Sequence, residues 1–395
     1  MSDSLDQILQ SRQVETLFQP VVSVERRSVI GFEAFARGCR TADGAMIQPK
    51  TMFDPSLDPD VALEIDRICR ENTLRRFKKI AANHSNVLLF LNVNVSSLKS
   101  SKMRPDFLSQ QVAELEIDPR RVVIEADVEH LCGDLPFDLA EAYRKQGFLL
   151  SLDDSNAAPA ALCHLHRLKP DFLKTMRPGT DDAKQERLRG EMLRALAENA
   201  RWVGCRLVGK GVEEEADAFL LLGAGVYLQQ GFFYTKSEQS GEDGDALAVF
   251  KKKIHEVHAR YRESQTKQIQ AKKTAFKDLH RAASKARYRC EGAMRAEFDD
   301  LAAGLARDVE PAFTVFILNR AGQEVARTRE GGLGPSRDHS IRDYYLHLKT
   351  GFEHFVTPVF TSPETKRAHL ILASRFYNRE GDEYILGIEF AAPEC

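Results

Sequence analysis

The sequence predicts an α/β protein in which a closed barrel of strands and outer helices is followed by a long helix and a small α+β domain. Three observations lead to this prediction. Short apolar runs alternate with longer amphipathic stretches over residues 1–245. Each run ends in a polar residue or a glycine. After a polar, glycine-containing break at 237–245, the composition changes to a basic stretch without glycine or proline.

The barrel is predicted from its buried strands. Apolar runs separated by helical patterns, such as those at 191–200 and 213–222, are typical of parallel strands covered by helices. Six or more such units in about 245 residues favour a TIM-like (β/α)8 barrel over an open sheet. In such barrels the chemistry lies at the carboxyl ends of the strands. The runs are 87–91, 122–124, 148–152, 172–173 and 207–208.

Residues 246–298 are predicted to form a connecting basic helix. From 251 to 290 the chain carries 13 Lys or Arg against 3 Asp or Glu. Small or apolar residues recur there at a spacing of three and four, which indicates one packed stripe. The stripe consists of Phe276, Leu279, Ala283, Ala286, Cys290 and Ala293. Two interpretations stay open: a dimeric coiled coil, which would make the protein a homodimer, or a helix packed on the protein's own domains.

The small domain is predicted over residues 299–395. Its short strands are separated by turns that contain glycine and asparagine, as is typical of antiparallel hairpins. The predicted strands are 313–318, 323–328, 369–374 and 384–390, with turns at 319–322 and 378–382.

Parts of this small domain resemble PAS/Cache-type sensor domains, namely the first hairpin, the segment 341–345 and the last strand. The resemblance implies a small, unidentified ligand. Arg342 with Tyr344 or Tyr345 is predicted to hold a carboxylate, because a guanidinium matches that group in a bidentate manner. The alternative, an arginine paired with a neighbouring acid and two tyrosines in the core, stays open.

Composition and charge exclude several classes of protein. The net charge of −2 gives the 395 residues no bias toward nucleic acid, and the basic helix lacks the aromatic pattern of a nucleic-acid or membrane segment. The seven cysteines contain no Cys-x-x-Cys pair, which fits a reducing cytoplasm. No signal peptide is apparent, and no apolar run approaches the roughly 20 residues that span a bilayer. We therefore expect a cytoplasmic protein without nucleic-acid or membrane partners.

The polar residues at the predicted strand ends of the barrel form eight short motifs between residues 14 and 236, about 55% of the chain. They are FQPVV at 18–22, GFEAFAR at 31–37, LNV at 91–93 with Leu98 beyond it, IE at 124–125, LDD at 152–154, KPDFLK at 169–174, GVE at 211–213 and QGFF at 230–233. In this order the motifs resemble the EAL family of cyclic-di-GMP phosphodiesterases, although most members have leucine where Phe35 stands. The resemblance implies a barrel of EAL type that binds cyclic-di-GMP.

The same residues suit one kind of chemistry. Phosphodiester hydrolysis needs an activated water and neutralisation of the transition state, and a pair of Mg²⁺ or Mn²⁺ ions supplies both. Such ions prefer carboxylate and amide oxygens. The candidate oxygen donors are Glu33, Asn92, Glu125, Asp153 and Asp154. Taken alone, the Asp pair would more often cap a helix, and Asn94 competes with Asn92.

The resemblance implies a role for each of these residues. The five oxygen donors would be the metal ligands, with Asp153 bridging the ions. Lys174 would contact the phosphate or the attacking water, and Gln230 would orient the site. The implied nucleotide-binding residues are Gln19 for guanine, Arg37 for phosphate, and Asp154.

Four departures from the family pattern fall at strand ends. Lys210 replaces a glutamate, Met176 replaces an aspartate, Asp127 falls where the family usually has threonine, and the loop at 155–161 has no glycine. A cation at 210 would repel a second metal ion by roughly 4 kcal/mol at about 4 Å. It would leave a single Mg²⁺ or Mn²⁺ site, or would itself neutralise the phosphate. The sequence thus predicts a barrel that is inactive or nearly so, with Lys210 the inactivating residue.

Three functions stay open at this point. The first is a non-catalytic cyclic-di-GMP receptor with an intracellular sensor domain. The second is a module that binds a protein partner and no longer binds the nucleotide. The third is a slow metal-dependent phosphodiesterase that gives linear pGpG.

Overall fold

Two compact units, Met1–Arg262 and Glu263–Cys395, make up the chain. The computed structural model describes residues 2–40, 46–54, 56–84, 86–92, 106–127, 135–154, 159–176, 183–235, 244–309, 312–328, 338–362 and 365–392. The division between the units falls inside one long helix, and the predicted domain boundaries after residues 245 and 298 stay predictions.

The first unit is a barrel wrapped by helices. Its strands are β1 Glu15–Ser23, β2 Ser28–Arg40, β3 Met46–Ile47, β4 Leu88–Asn92, β5 Val122–Asp127, β6 Leu149–Asp154, β7 Phe172–Met176, β8 Arg206–Lys210 and β9 Leu228–Gln229. Its helices are α1 Ser2–Ser11, α2 Pro49–Met52, α3 Pro59–Asn83, α4 Asp106–Glu114, α5 Leu135–Lys145, α6 Pro159–Leu168, α7 Ala183–Trp202 and α8 Glu215–Gly223. The apolar runs predicted as strands coincide with β4 to β8, and the predicted α/β barrel is confirmed.

The strand order closes the barrel. Neighbouring strands follow the order β1-β9-β8-β7-β6-β5-β4-β2, and β1 also pairs with β2, so eight strands form a ring to which β3 is appended. Strands β2 and β4 to β9 are parallel, whereas β1 is antiparallel to both neighbours. The prediction of parallel units missed β1, because Gln19 and Pro20 interrupt its apolar run.

Apolar side chains fill the barrel beneath the strand ends. Val21, Phe90, Val123, Phe172 and Val208 form one buried cluster, and the rings of Phe90 and Phe172 meet edge to face with centroids 5.0 Å apart. Four of the five lie two residues before Asn92, Glu125, Lys174 or Lys210 on the same strand, which puts both residues on the same side of that strand. The cluster therefore forms a packed floor for the polar side chains at the strand ends.

A 48-residue helix, α9 Gly244–Glu291, leads from the first unit into the second. The other elements of the second unit are α10 Phe298–Asp308, α11 Asp343–Lys349, β10 Ala312–Leu318, β11 Glu324–Arg327, β12 His354–Val356, β13 Phe360–Thr361, β14 Ala368–Tyr377 and β15 Glu383–Ala391. The strands form an antiparallel sheet in the order β11-β10-β15-β14-β12, with β13 also on β14. The pairing of β10 with β11 is the predicted hairpin.

The predicted stripe on α9 packs within the second unit. Leu279, Ala283, Ala286 and Cys290 belong to one buried cluster with α10 and the sheet. The interpretation in which the helix packs on the protein's own domain therefore holds for these residues, and the homodimer stays a prediction. Within the described part of the chain, no helix combines the length and the apolar character that a membrane span requires.

Candidate functional site

The polar residues at the strand ends form two sets of four, drawn from alternate strands of the ring. The first set, the inner quartet, comes from β2, β5, β7 and the residue after β9. It consists of Glu33, Glu125, Lys174 and Gln230. The second set, the outer quartet, comes from the strands between them, β1, β4, β6 and β8. It consists of Gln19, Asn92, Asp153 and Lys210. Layers of four side chains from alternate strands are the usual packing inside such barrels.

The inner quartet is buried and organised around one ammonium group. Lys174 is 0% exposed, and its Nζ lies 2.5 Å from Glu33 Oε2 and 2.6 Å from Glu125 Oε2. Gln230 Nε2 donates to Glu33 Oε2 over 2.7 Å. The Phe90 ring lies under the ammonium, with its centroid 4.6 Å from Nζ. Lys174 thus joins two carboxylates that would otherwise repel each other in a site removed from water.

The charges of the inner quartet follow from burial and from this contact. Burial raises the pKa of Glu125 to about 8, the charge of Glu33 adds to the rise, and Lys174 opposes it. Burial acts the same way on Glu33, but Lys174, Gln230 and Asn92 outweigh it and hold the pKa of Glu33 below its ordinary value. For Lys174, burial favours the neutral amine, yet the two carboxylates raise its pKa. The Lys174 ammonium thus favours the ionised form of both carboxyl groups against the effect of their burial.

The outer quartet is nearer to solvent and contains the second lysine. Lys210 Nζ donates to Asp153 Oδ1, and the two side chains are 15% and 18% exposed. Asn92 Nδ2 donates to Glu33 Oε1 over 3.1 Å, and Gln19 Oε1 accepts from Gln230 Nε2 over 2.9 Å. These two hydrogen bonds connect the outer quartet to the inner one.

Glycines fix the backbone beside Lys210 and Gln230. Gly211 has a φ of +72°, a left-handed conformation that favours glycine. Gly231 lies so close to the next segment that a Cβ there would be 2.1 Å from the carbonyl oxygen of Val212. Gln230 N donates to Gly209 O over 2.9 Å, and Val212 N donates to Gln230 O over 3.1 Å. The chain after β8 and the chain after β9 thus hold each other in position.

The described side chains do not fit a pair of metal ions. Each of the three carboxylates in the two quartets faces a lysine: Glu33 and Glu125 face Lys174, and Asp153 faces Lys210. No group of three His, Cys, Asp or Glu in the described part of the chain is placed to hold an ion. The inner quartet contains buried oxygens that could act as ligands for an ion. Glu125 Oε1 and Gln230 Oε1, for example, have no hydrogen-bond partner among the described residues.

The remaining predicted site residues belong to neither quartet or lie outside the described residues. Arg37 is four residues beyond Glu33, and its side chain is exposed. Met176 ends β7 beside Lys210 in register and is 40% exposed. Asp127 ends β5 beside Asp153 in register. The Asp154 side chain, Asn94, Leu98 and the loop residues 155–158 lie outside the part of the chain that is described.

In the second unit the three predicted sensor residues do not come together in one site. Tyr344 and Tyr345 lie in a buried cluster, where the Tyr344 hydroxyl shares a hydrogen bond with His339 Nδ1 and Tyr345 Oη donates to Arg320 O over 3.0 Å. Arg342 precedes α11, and its side chain is exposed. The described structure therefore brings the two tyrosines together and leaves the arginine in solvent.

Sequence reasoning missed two contributors to the site, Phe90 and Ser151. The Phe90 ring lies against the Lys174 ammonium. In the sequence, Phe90 could be identified only as a core residue. Ser151 is 1% exposed and pairs with Glu125 in register, and its Oγ has no hydrogen-bond partner among the described residues. A lone hydroxyl within the apolar run 148–152 was the signal that could have identified it.

Comparison with protein families gives a match over most of the first unit. The model of the family described as the EAL domain matches residues 2–237. An *Escherichia coli* K12 protein, "Probable cyclic di-GMP phosphodiesterase PdeB", is 22% identical over 234 residues, which cover 59% of this chain and 44% of that protein. The chain thus spans less than half the length of this curated relative.

A second relative matches both units. "Uncharacterized EAL-domain containing protein YkuI" of *Bacillus subtilis* 168 is 20% identical over 331 residues, 82% of this chain and 79% of that protein. Its crystal structure, described as a complex with substrate c-di-GMP and calcium, covers 99% of each chain with a TM-score of 0.75 and 18% identity. At this identity the likeness shows a shared fold.

Proposed function

The chain belongs to the EAL domain family, and from that premise we propose that it is a cyclic-di-GMP receptor that does not hydrolyse the nucleotide. The observation that carries the proposal is the ion pair between Lys210 and Asp153. It lies at the strand ends, where metal-dependent hydrolysis would require carboxylates free to bind ions.

Loss of hydrolysis follows from the charge of that pair. Two-ion hydrolysis depends on carboxylates that bridge and separate the ions. An ammonium about 4 Å from a metal ion repels that ion by roughly 4 kcal/mol for each unit of charge on the ion, at an effective dielectric near 20. Asp153 is already neutralised by Lys210. At most one Mg²⁺ or Mn²⁺ is therefore proposed, with Glu33, Asn92 and Glu125 as its ligands. The crystal structure of YkuI, described as a complex with c-di-GMP and calcium, supports a divalent ion in a protein of this family.

Retention of the nucleotide is proposed from the groups that remain for it. Gln19 and Gln230 are joined by a hydrogen bond at the strand ends, where amide groups suit the edge of a base. Arg37 lies four residues beyond Glu33 on β2 and is exposed, and a guanidinium binds phosphate in a bidentate manner. PdeB is described as a probable cyclic-di-GMP phosphodiesterase, and the crystal structure of YkuI is described as a complex with c-di-GMP, which supports binding of the same nucleotide by this chain.

The second unit is proposed to regulate the first by binding a small ligand. Its support is the sheet with short helices that the PAS/Cache resemblance implies and the exposed Arg342 beside α11. A carboxylate ligand at Arg342 would have to bind at the surface, because both neighbouring tyrosine hydroxyls already have partners.

A slow phosphodiesterase is the second candidate, and one observation favours it. The inner quartet is assembled, with Lys174 and Gln230 both in contact with Glu33. If this set retains activity, the product would be linear pGpG, and Lys174→Met would abolish its formation.

The test is a turnover assay of the purified chain with cyclic-di-GMP in Mg²⁺ and in Mn²⁺, beside an active EAL phosphodiesterase. We expect a kcat far below the usual enzyme range of about 1–10³ s⁻¹, together with saturable binding by calorimetry. A kcat within that range would overturn the receptor proposal. Binding that is absent in every buffer would favour the module that binds only a protein partner.

A further inference from the structure

We infer that Lys210 is the cation that binds the phosphodiester in this site, so that cyclic-di-GMP binding does not require a divalent metal ion. The inference rests on the proposed receptor function and concerns the same site. It follows from the different positions of the two lysines and from the side chains that surround them.

Lys174 has few donors left for a ligand. An ammonium has three N–H donors. One of them donates to Glu33 Oε2 over 2.5 Å, and the group also forms an ion pair with Glu125 Oε2 at 2.6 Å. The group is 0% exposed and lies on the Phe90 ring. A phosphate could reach Lys174 only by displacing a buried carboxylate, which would leave that charge without its partner.

Lys210 lies in the outer quartet and keeps donors for a ligand. Its Nζ contacts Asp153 Oδ1, and no other described side chain forms an ion pair or hydrogen bond with it. Two of its three N–H donors therefore remain once its contacts with the described residues are counted. Lys210 is also the last residue of β8, and the carboxyl ends of the strands are the side of the barrel from which ligands enter.

The neighbour of Lys210 on β7 leaves this ammonium accessible. Met176, its register partner, carries no charge and is 40% exposed. An aspartate at that position, as the family pattern has it, would compete with a phosphate for the lysine. The Met176 thioether is at most a weak acceptor, so a bound phosphate oxygen would be the strongest acceptor available to the two remaining donors.

Charge balance indicates the class of ligand. Asp153 and Lys210 cancel, so a phosphodiester that approaches the outer quartet meets no net negative charge from this pair. Without Lys210, the Asp153 carboxylate would repel the phosphate, and a metal ion would be needed to bridge the two. Lysine binds phosphate as a compact point charge. The ammonium thus offsets the Asp153 carboxylate and offers its remaining N–H groups to an oxygen of a phosphodiester, which carries only one negative charge.

The experiment is calorimetric titration of the full chain with cyclic-di-GMP, in Mg²⁺ and again in EDTA. The wild type, Lys210→Met, Lys210→Glu and Lys210→Arg are compared, with Lys252→Met, an exposed lysine of α9, as the control for loss of one positive charge. We expect wild-type affinities in the two buffers to agree within about threefold. Lys210→Met should lose at least about tenfold in both, equivalent to about 1.4 kcal/mol. Lys210→Arg should retain binding in EDTA, and Lys210→Glu should bind only with Mg²⁺.

Two results would overturn the inference while the receptor proposal survives. One is a wild-type affinity that falls about tenfold or more in EDTA, which would assign the phosphate to a metal ion. The other is a Lys210→Met variant that binds as tightly as the wild type in EDTA. If the wild type binds in neither buffer, the receptor proposal itself fails, and the inference fails with it.

Discussion

Lys210 and Asp153 form an ion pair across an intervening strand. Lys210 ends β8 and Asp153 is near the end of β6, while β7 lies between them in the ring. The inner quartet below is joined in the same way, since Lys174 on β7 reaches Glu125 on β5 across β6. Each layer therefore neutralises its carboxylates with a lysine from another strand of the ring, and the exposure of the lysine decides whether a ligand can compete for it.

The difference between the two lysines predicts a difference in stability. Lys174→Met should lower the free energy of unfolding by about 3–5 kcal/mol, because it leaves Glu33 and Glu125 buried without a counterion. Lys210→Met is the matched control: its pair is partly exposed, so it should cost only on the order of 1–2 kcal/mol. Urea unfolding followed by circular dichroism compares the two. Equal losses would contradict the assignment of a buried inner layer and a more open outer one.

Gly231 provides a second pair of variants. In Gly231→Ala the new Cβ would lie 2.1 Å from the carbonyl oxygen of Val212, so the chain after β9 must shift and Gln230 with it. We expect a loss of about 1–3 kcal/mol and weaker nucleotide binding. Gly223→Ala at the end of α8 meets nothing within 4 Å. It should be neutral or stabilise by up to about 1 kcal/mol. A stable Gly231→Ala with unchanged affinity would show that the two segments are not tightly held.

The sequence was sufficient to locate most strands that carry the site, but not to predict which side chains at the strand ends contact each other. The apolar runs located β4 to β8, because strands buried on both faces are continuous apolar segments. It did not predict β1, since pairing direction leaves no apolar signature and Gln19 and Pro20 interrupt its run. Nor could it predict that Lys210 contacts Asp153, because that contact depends on the order of strands in the closed ring.

Some predictions about the site stay predictions. The roles of the metal ligands, of Arg37 and of Arg342 come from motif resemblance, and the geometry adds only their positions. The Asp-Asp motif shows that two acids are adjacent in the sequence, but it does not give the direction of either side chain, so it cannot assign both to one ion. That limit is physical: ligand sets depend on side-chain direction, which the sequence alone does not give.

The exposed middle of α9 predicts where the helix opens first. Residues 266–274 are all exposed, whereas the helix packs through Phe250, Ile254 and Val257 near its start. A segment without buried apolar contacts opens at low free energy. Among the α9 lysines, brief trypsin treatment should therefore cut after Lys267, Lys272 or Lys273 before it cuts after Lys251 or Lys252. Mass spectrometry of the fragments identifies the order, and first cleavage at 251–252 would contradict it.

Glu324 predicts a pH dependence of stability in the second unit. Its Oε2 lies 3.1 Å from His339 Nε2 and 3.2 Å from Arg327 Nη1. Burial acts to raise its pKa, but these partners outweigh burial and hold the pKa of Glu324 below its ordinary value. A depressed pKa contributes stability above the unfolded-state pKa of about 4.3, and that stability is lost as the pH falls through the folded-state value.

The variant Glu324→Gln measures this contribution. It should lower the free energy of unfolding by about 1–3 kcal/mol at pH 7, and the gap from the wild type should narrow as the pH falls below about 4.3. Glu353→Gln, an exposed position in the same unit, should give no gap at either pH. A gap for Glu324→Gln that is constant with pH would assign the loss to packing instead of charge.

A substitution at Arg37 tests nucleotide binding without an accompanying loss of folding stability. Its side chain is exposed, and it has no ion-pair or hydrogen-bond partner among the described residues. Arg37→Ala should therefore change the free energy of unfolding by no more than about 0.5 kcal/mol. If Arg37 binds a phosphate of cyclic-di-GMP, the same substitution should weaken binding at least about tenfold. Arg37→Lys should recover part of the loss, because it keeps the charge but not the bidentate geometry.

Arg120→Ala is the control, since Arg120 is 79% exposed and pairs only with the nearby Asp118 among the described residues. Unchanged affinity in a folded Arg37→Ala protein would remove Arg37 from the binding site and leave the quartets as its only described components.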